Sequence, residues 1–335
     1  MLYFAFVNIP VKILIIRFSS IGDIVLTTPV IRCLKQQLEG EVNIHYLTKK
    51  AYTPLLETNP YIDKIYSIDK STNEVIENLA NERYDYIVDL HRNLRSSRIK
   101  RKLKALSFTF DKLNYQKWLL VNFKVNKLPD VHIVDRYLES IKVLGVENDG
   151  EGLDYFIPKE TNLEIPENFK NNYNALVFGA AHFTKRIPKE KLIELIEASP
   201  NHSFILVGGK EDQSLGKELE KLYPQRIWNT CGKTTFHESA FLLKHAKKVI
   251  STDTGMMHIA AALQKPILSV WGNTVPEFGM YPYYKKGNEH LCSIFEVKNL
   301  NCRPCSKIGY DKCPKGHFKC MLNIATKEVA EKLNE

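Results

Sequence analysis

The chain has 335 residues, 44% apolar and 25% charged, a composition that suits a soluble globular protein and a length that suits two domains rather than one core. No apolar run reaches the roughly 18 residues of a membrane span, and the first sixteen residues, interrupted by Asn8, Pro10 and Lys12, lack the basic start and small-residue cleavage site of a signal peptide. The net charge of +9 is uneven: His91 to Lys127 holds eleven Lys or Arg against one acid, Asp111, so the remainder is close to neutral.

Lys12–Phe18 reads as the first strand, with the ten residues ahead of Val11 as an extension. A helix is expected over Asp23–Leu38 and a second strand over Val42–Leu47. Ser71-x-x-Glu74 is a capping box opening a helix that runs to about Glu82. Tyr86–Leu90 is another buried strand, and the basic block follows at once. Such a block is usually a solvated helix face. This one also carries Phe108, Phe110, Tyr115, Trp118 and Phe123, which suits an anionic membrane surface or an anionic acceptor. Nucleic acid is not expected as a partner, since no nucleic-acid motif accompanies the charge. A helix over His132–Leu144 ends at Gly145, and prolines and asparagines across Leu153–Lys170 mark a domain boundary.

The second half repeats the alternation. Strands are expected at Ala175–Phe178 and Ser203–Val207, and helices from Pro188 to Ala198 and over Glu211–Leu222. Thr235-x-x-Glu238 is a second capping box, whose helix runs to Ala246. Val249-Ile-Ser-Thr is a β-branched strand, Ser251–Gly255 a tight turn, Met256–Leu263 an alanine-rich helix, and Pro266–Gly272 the next strand. A last helix spans about Ile324–Leu333. Strand and helix alternate in both halves, so the fold class is α/β with doubly wound parallel sheets. A strand–turn–helix unit leaves free N–H groups and the positive dipole end at the helix start, where a diphosphate can sit. Asp253, Thr254 and Gly255 occupy that turn.

Two stretches carry a family resemblance. Asp253-Thr-Gly-x-x-His258-x-x-Ala-Ala, with Pro266 and Gly272 downstream, closely resembles the sugar-nucleotide signature of glycosyltransferase family 9, the heptosyltransferases of lipopolysaccharide core assembly. Ile13-Leu-Ile-Ile-Arg-Phe-Ser-Ser-Ile-Gly-Asp23-Ile-Val-Leu-Thr-Thr-Pro29 is similar to the start of the same family. The resemblance implies GT-B architecture: two Rossmann-like domains facing across a cleft. Residues 1–160 would bind the acceptor and residues 161–335 the nucleotide sugar, with the last helix packing back on the first domain. It implies an inverting transferase that moves heptose, or a related sugar, from ADP-heptose to a lipopolysaccharide core acceptor.

The site residues follow from that resemblance. Asp23, read alone, is a helix-capping carboxylate. In the family's place it looks like the general base that takes the acceptor's proton, at an oxocarbenium-like transition state with a diphosphate leaving group. Lys185 and Arg186, read alone, are solvated loop charges; the resemblance makes Lys185 a phosphate-holding lysine, a second source of positive charge besides the helix start at Thr254-Gly255-Met256. His258, which alone reads as a partly buried histidine, becomes a donor-pocket residue together with Asp253 and Thr254. Glu211, following Gly208-Gly209, matches where the family contacts ribose or base. On the acceptor side stand Ser20, Gly22, His91, Arg92 and Arg95, the cationic ones suited to carboxylate or phosphate groups. The best-known heptosyltransferases are less basic in the His91–Arg98 loop, which leaves the acceptor open.

No Asp-x-Asp pair suggests a divalent-cation transferase, so catalysis without metal or cofactor is expected. Cys302-x2-Cys305-x7-Cys313-x6-Cys320, with His317 between, has spacing that invites zinc, but packed or acceptor-adjacent thiols are the alternative. Cys33, Cys231 and Cys292 read as core residues. The expected setting is the cytoplasm, peripheral on the inner face of the cytoplasmic membrane, with a nucleotide-sugar donor and an anionic lipid-linked saccharide acceptor as partners. Two other readings remain: a sugar-nucleotide epimerase of the same architecture, and a non-catalytic basic surface-binding protein. A nicotinamide dehydrogenase does not fit, because Ser-Ser-Ile-Gly-Asp, not Gly-x-Gly-x-x-Gly, follows the first strand.

Overall fold

The computed structural model describes residues 10–170 and 172–335. The N-terminal extension up to residue 9 lies outside the described residues. Two compact units result, one of residues up to Lys112 with Val134–Gly150, the other of Leu113–Ile133 with Glu151–Glu335. The chain passes from the first unit to the second at Gly150–Glu151, and the second unit also takes a segment from the middle of the first.

In the first unit β1 (Val11–Ile16) is the central strand, and Ile13 to Ile16 are fully buried, as a strand covered on both faces requires. Helices α1 (Ile21–Val25) and α2 (Thr28–Gln37) lead to β2 (Val42–Lys49) and β3 (Lys64–Ile68). Then come α3 (Ile76–Glu82), β4 (Tyr86–Asp89), α4 (Leu94–Leu103) and β5 (Leu106–Thr109). Every pairing is parallel, in the order β3-β2-β1-β4-β5. The chain winds outward through β2 and β3, then returns to the other side of β1, so the topological switch lies between β1 and β4. In such sheets ligands bind beyond the carboxyl ends of the strands at that switch.

The single helix expected over Asp23–Leu38 is two. Pro29 has no N–H to continue the ladder and instead sits in the first turn of α2. The hydroxyls of Thr27 and Thr28 donate to the carbonyls of Ile24 and Val25, groups that a continuous helix would use itself. Glu74 accepts from the backbone N–H groups of Asp69, Lys70 and Ser71, so the expected capping box forms; it opens a 3-10 turn ahead of α3. After β5 comes α5 (Asn114–Phe123), held in the second unit because buried Leu120 packs against Val275 and Phe278. The helix expected over His132–Leu144 is α6 (Ile133–Glu139) followed by a 3-10 turn closing on Gly145.

The second unit holds β6 (Asn174–Val177), α7 (Lys189–Ala198), β7 (Phe204–Leu206), α8 (Gln213–Leu222), β8 (Ile227–Asn229) and α9 (Phe236–His245). It continues with β9 (Val249–Thr252), α10 (Gly255–Ala262), β10 (Ile267–Trp271) and β11 (Cys292–Glu296). The sheet is again parallel, in the order β11-β10-β9-β6-β7-β8, with its switch between β6 and β9. Thr235 caps α9 by accepting from Glu238 N at 3.2 Å, while Glu238 accepts from Thr235 N at 2.7 Å, the reciprocal bonds its sequence predicts. The fold class expected from the sequence, α/β with two doubly wound Rossmann-like units, is the one observed.

The tail ends in α11 (Lys319–Leu322) and α12 (Thr326–Asn334). Val329, Ala330 and Leu333 of α12 enter the same apolar cluster as Leu192, Leu195 and Ile196 of α7.

Candidate functional site

Each unit places polar residues at its own switch point, starting from the loops that leave the central strands. In the first unit β1 runs into Arg17-Phe18-Ser19-Ser20 and then α1. Arg17 is buried, and its guanidinium is fully engaged. It pairs with Asp23 Oδ1 at 2.6 Å and donates to Ser19 O at 2.8 Å, Leu90 O at 2.5 Å and the Tyr137 hydroxyl at 3.1 Å. Burial alone would weaken this cation, but the adjoining Asp23 carboxylate and Tyr137 outweigh it and leave the guanidinium more basic than usual. Asp23 also accepts from the Ser20 hydroxyl at 2.7 Å and from Ser20 N at 3.1 Å. The capping reading and the functional one thus describe the same carboxylate: its cap bonds and ion pair fix the orientation of a group that stays partly open to solvent, 21% exposed. Gly22 lies within α1 and does not adopt a left-handed φ.

Across the switch, β4 ends in Asp89, which is fully buried and paired with Lys100 Nζ at 2.9 Å. It accepts from the backbone N–H groups of His91 and Arg92, at 3.1 and 2.7 Å, and from Ser96 Oγ at 2.8 Å, so it sets the shape of this loop. His91 stacks edge-on against Phe18, ring centroids 5.0 Å apart, and its Nδ1 is buried without a hydrogen-bond partner. Burial first, then the charges of Arg17 and Lys112, push this imidazole down to about 4, so it is neutral at physiological pH. Lys112 is itself pushed down by burial and by Arg17. The structure therefore brings Ser20, Asp23 and His91 to one switch point. Arg92 instead pairs with Asp111 at 2.9 Å, and Arg95 stands exposed on the first turn of α4.

In the second unit the switch lies between the loops after β6 and β9, and one contact joins them. Lys185 Nζ lies 2.6 Å from Asp253 Oδ2, which also accepts from Thr274 Oγ1 at 2.9 Å. Thr254 is the N-cap of α10, with extended φ and ψ and no hydrogen bond from its side chain to the helix, and Gly255 is the first helical residue. The N–H groups at the start of α10 thus open beside a lysine already held by Asp253, so amide donors and an ammonium group meet where a diphosphate can sit. His258 is buried one turn further on. Asn273, which follows β10, is buried with neither amide atom paired. Arg303 props the same loop by donating to Gly272 O at 2.6 Å and Thr274 O at 2.9 Å. Gly272 has to be glycine for room: a Cβ there would lie 2.7 Å from both Thr184 O and Met321 Cε.

Glu211 sits in a 3-10 turn after Gly209, exposed, on the wall of a cavity of about 340 Å³ that Phe183, Arg186, Asp212 and Phe318 also line. Its neighbour Asp212 is buried and accepts from Gly209 N at 3.0 Å; burial raises its carboxyl above the usual range. A Cβ on Gly179 would lie 2.0 Å from Asp212 Oδ2, so the loop after β6 needs glycine there to approach this carboxylate. Lys185, Asp253, Thr254 and Gly255 are thus brought together, while Glu211 belongs to the neighbouring cavity. Sequence reasoning passed over Arg17, Asp89, Asn273 and Thr274. The one available signal was Arg17, a lone cation closing an otherwise apolar strand.

The tail cysteines are free thiols, as are the other three. Cys302 Sγ lies 3.8 Å from His317 Nε2, and Cys305 Sγ donates to Cys302 O at 2.9 Å. Burial pushes Cys305 up to about 11 and Cys320 up to about 12, toward the neutral thiol. Among the described residues no group of three or more His, Cys, Asp or Glu side chains is placed to hold a metal ion. Cys33 and Cys231 are buried and Cys292 partly so.

Comparison with known proteins follows the same lines. The family model described as glycosyltransferase family 9 (heptosyltransferase) matches residues 73–310. Lipopolysaccharide heptosyltransferase 1 of Campylobacter coli is 26% identical over 290 residues, 78% of this chain and 84% of that protein. Lipooligosaccharide heptosyltransferase 2 of Haemophilus influenzae is 24% identical over 97% of this chain and 99% of its own length. Among solved structures, a family 9 glycosyltransferase from Veillonella parvula superposes with a TM-score of 0.74 at 20% identity, covering 96% of each chain. The E. coli heptosyltransferase WaaC, solved with ADP, gives 0.68 at 19% identity over 96% of this chain and 98% of its own.

Proposed function

Because the chain belongs to glycosyltransferase family 9, the heptosyltransferases, we propose that it transfers heptose, or a closely related sugar, from ADP-heptose to a saccharide of the lipopolysaccharide core, with inversion at the anomeric carbon. The observation that carries this reading is the corner formed by Lys185, Asp253 and the start of α10, where an ammonium group and helix N–H donors meet at a sheet's switch point, as a nucleoside diphosphate requires. The names and bound molecules of its relatives support ADP-heptose as donor: E. coli WaaC has been solved with ADP and with ADP-2-deoxy-2-fluoro heptose.

In this mechanism Lys185 and the N–H groups of Thr254 to Met256 hold the diphosphate, and Asp253 keeps the lysine in place. Glu211, in the adjoining cavity, meets the ribose or base. Asp23 takes the proton from an acceptor hydroxyl as its oxygen bonds to the anomeric carbon. The bond from that carbon to the diphosphate oxygen breaks, and its electron pair leaves with ADP. Developing negative charge falls on the diphosphate, where lysine and helix dipole are already oriented. Neutral His91 and the Ser20 hydroxyl, both beside Asp23, offer hydrogen bonds to the acceptor. Arg95, exposed and without a carboxylate partner among the described residues, is suited to acceptor phosphate or carboxylate. Transfer requires the anomeric carbon of the bound donor to come within reach of Asp23. No step in this scheme calls for a metal.

The acceptor is anionic and lipid-linked in this reading, so the enzyme works peripherally at the inner face of the cytoplasmic membrane. Among the described residues no helix is long and apolar enough to cross a membrane. The test is a calorimetric screen of ADP-, GDP- and UDP-sugars followed by product analysis with and without acceptor. Preference for ADP-heptose and acceptor-dependent release of ADP are expected. Conversion of the nucleotide sugar to an epimer without acceptor would overturn the transferase reading.

A further inference from the structure

Helix α5 lies on the second unit by one face only. Leu120 is buried against Val275 and Phe278, with Val121 and Leu128 packed beside it, and Lys124 Nζ donates to Pro304 O at 2.6 Å. The opposite face is bare and aromatic. Tyr115 is 67% exposed, Trp118 45% and Phe123 61%, and these rings contact one another: Tyr115 stacks on Trp118 at 6.2 Å, and Trp118 meets Phe123 edge-on at 5.1 Å. A preformed cluster of three large rings in water is not needed for the fold of α5, because the inner face already anchors it. Val125 is exposed immediately beyond.

Charge decides what covers this face. From Leu113 to Pro129 the segment contains Lys117, Lys124 and Lys127 and no acid; Lys117 lies over the Phe278 ring and Lys124 donates to Pro304 O, both toward the second unit, so the charge beside the outward rings is that of Lys127. Tryptophan and tyrosine beside a lysine, on a helix too short and too polar to span, is the composition of an element that lies at a bilayer interface, its rings at headgroup depth and Lys127 on anionic lipid. We propose that the outward face of α5, through Tyr115, Trp118 and Phe123 with Lys127, is the surface by which this protein docks on an anionic lipid bilayer. The inference rests on the transferase reading only in that a lipid-linked acceptor calls for such a surface. The rings and charges stand independently of the chemistry.

The test uses the full chain with vesicles of phosphatidylglycerol or of phosphatidylcholine. The wild type floats with phosphatidylglycerol vesicles at low salt and binds phosphatidylcholine weakly. Brominated acyl chains quench its tryptophan fluorescence, and Trp118→Phe removes most of that quenching, since Trp271 is buried and Trp228 is half-buried against Phe169. The double variant Trp118→Ser/Phe123→Ser binds phosphatidylglycerol at least about tenfold more weakly. Lys127→Gln loses about fivefold, and only at low salt. Both variants keep the wild-type melting temperature and turnover on a soluble, delipidated acceptor. Unchanged vesicle binding by the double variant overturns the proposal, as does wild type that ignores phosphatidylglycerol, or a lipid-free dimer that the double variant dissolves. Vesicle binding that depends on Trp118 in a protein that transfers no sugar supports this surface and counts against the transferase reading instead.

Discussion

Arg17 and Asp23, six residues apart in sequence, form a 2.6 Å ion pair at the carboxyl end of the central strand of the first unit, with Arg17 buried. Every other donor contact of that guanidinium goes to a fixed group: two backbone carbonyls and the Tyr137 hydroxyl. The pair holds the proposed base in one orientation while leaving part of the carboxylate open. Replacing Arg17 with Met strands the Asp23 carboxylate and the Leu90 carbonyl. Removing one partner of a buried pair typically costs about 3–5 kcal/mol, and chemical denaturation of R17M should show a loss approaching that range. Turnover should fall with it even under conditions where the variant is folded.

Lys185→Ala should weaken donor binding by about tenfold to a hundredfold, the worth of a charge-assisted hydrogen bond or two. Lys185→Arg should recover part of it. Titration calorimetry with ADP checks this, and the difference between wild type and variant should shrink as salt rises. Wild-type affinity in the alanine variant would move the diphosphate elsewhere.

His91 gives a pH dependence with a definite sign. Its imidazole sits at about 4 in the folded protein, against about 6.5 in an unfolded chain. Between those values the unfolded state takes up a proton that the folded state refuses. Stability is therefore intact above pH 6.5 and declines as pH falls toward 4, by an amount on the order of 2 kcal/mol for a partly buried group. His91→Phe, which keeps a ring against Phe18, should remove this part of the decline. His45, also pushed down by burial, titrates in the same direction in both proteins, so the difference between the two curves reports His91.

Leu333→Ala and Val329→Ala test the place of the last helix. Both side chains are buried in the cluster that includes α7 of the second unit. Large-to-small changes there should cost about 1–4 kcal/mol each, more for leucine. Hydrogen exchange should show the lost protection spreading through α7. Unchanged exchange in α7 would contradict the packing described.

The parts of this fold that could be read from the sequence are those with local signals. β1 carries the aliphatic run Ile13–Ile16 and β9 opens on Val249-Ile250; Ser71-x-x-Glu74 and Thr235-x-x-Glu238 carry their own hydrogen-bond partners; and Gly255 marks a strand-to-helix turn. β3, β5, β8 and β11 are short, three to five residues, and lie outside the two central strands of each sheet, so their pattern is too brief to stand out. α4 and α5 were hidden inside the basic block, where charge masked periodicity. The assignment of α5 to the second unit depends on Val275 and Phe278, far away in sequence. The same distance explains the site: Asp23 and Gly255 announce themselves locally, whereas the contact of Lys185 with Asp253 spans 68 positions and exists only once β6 and β9 are neighbours.

The measurement that bears most directly on the account is the turnover of Asp23→Asn with ADP-heptose and acceptor, set beside its donor affinity. Loss of a general base costs about a hundredfold to ten-thousandfold in rate. The account predicts a fall of that size in kcat with ADP affinity within about twofold of wild type, since the donor corner lies in the other unit. Unchanged kcat in a folded variant that still binds donor would contradict it.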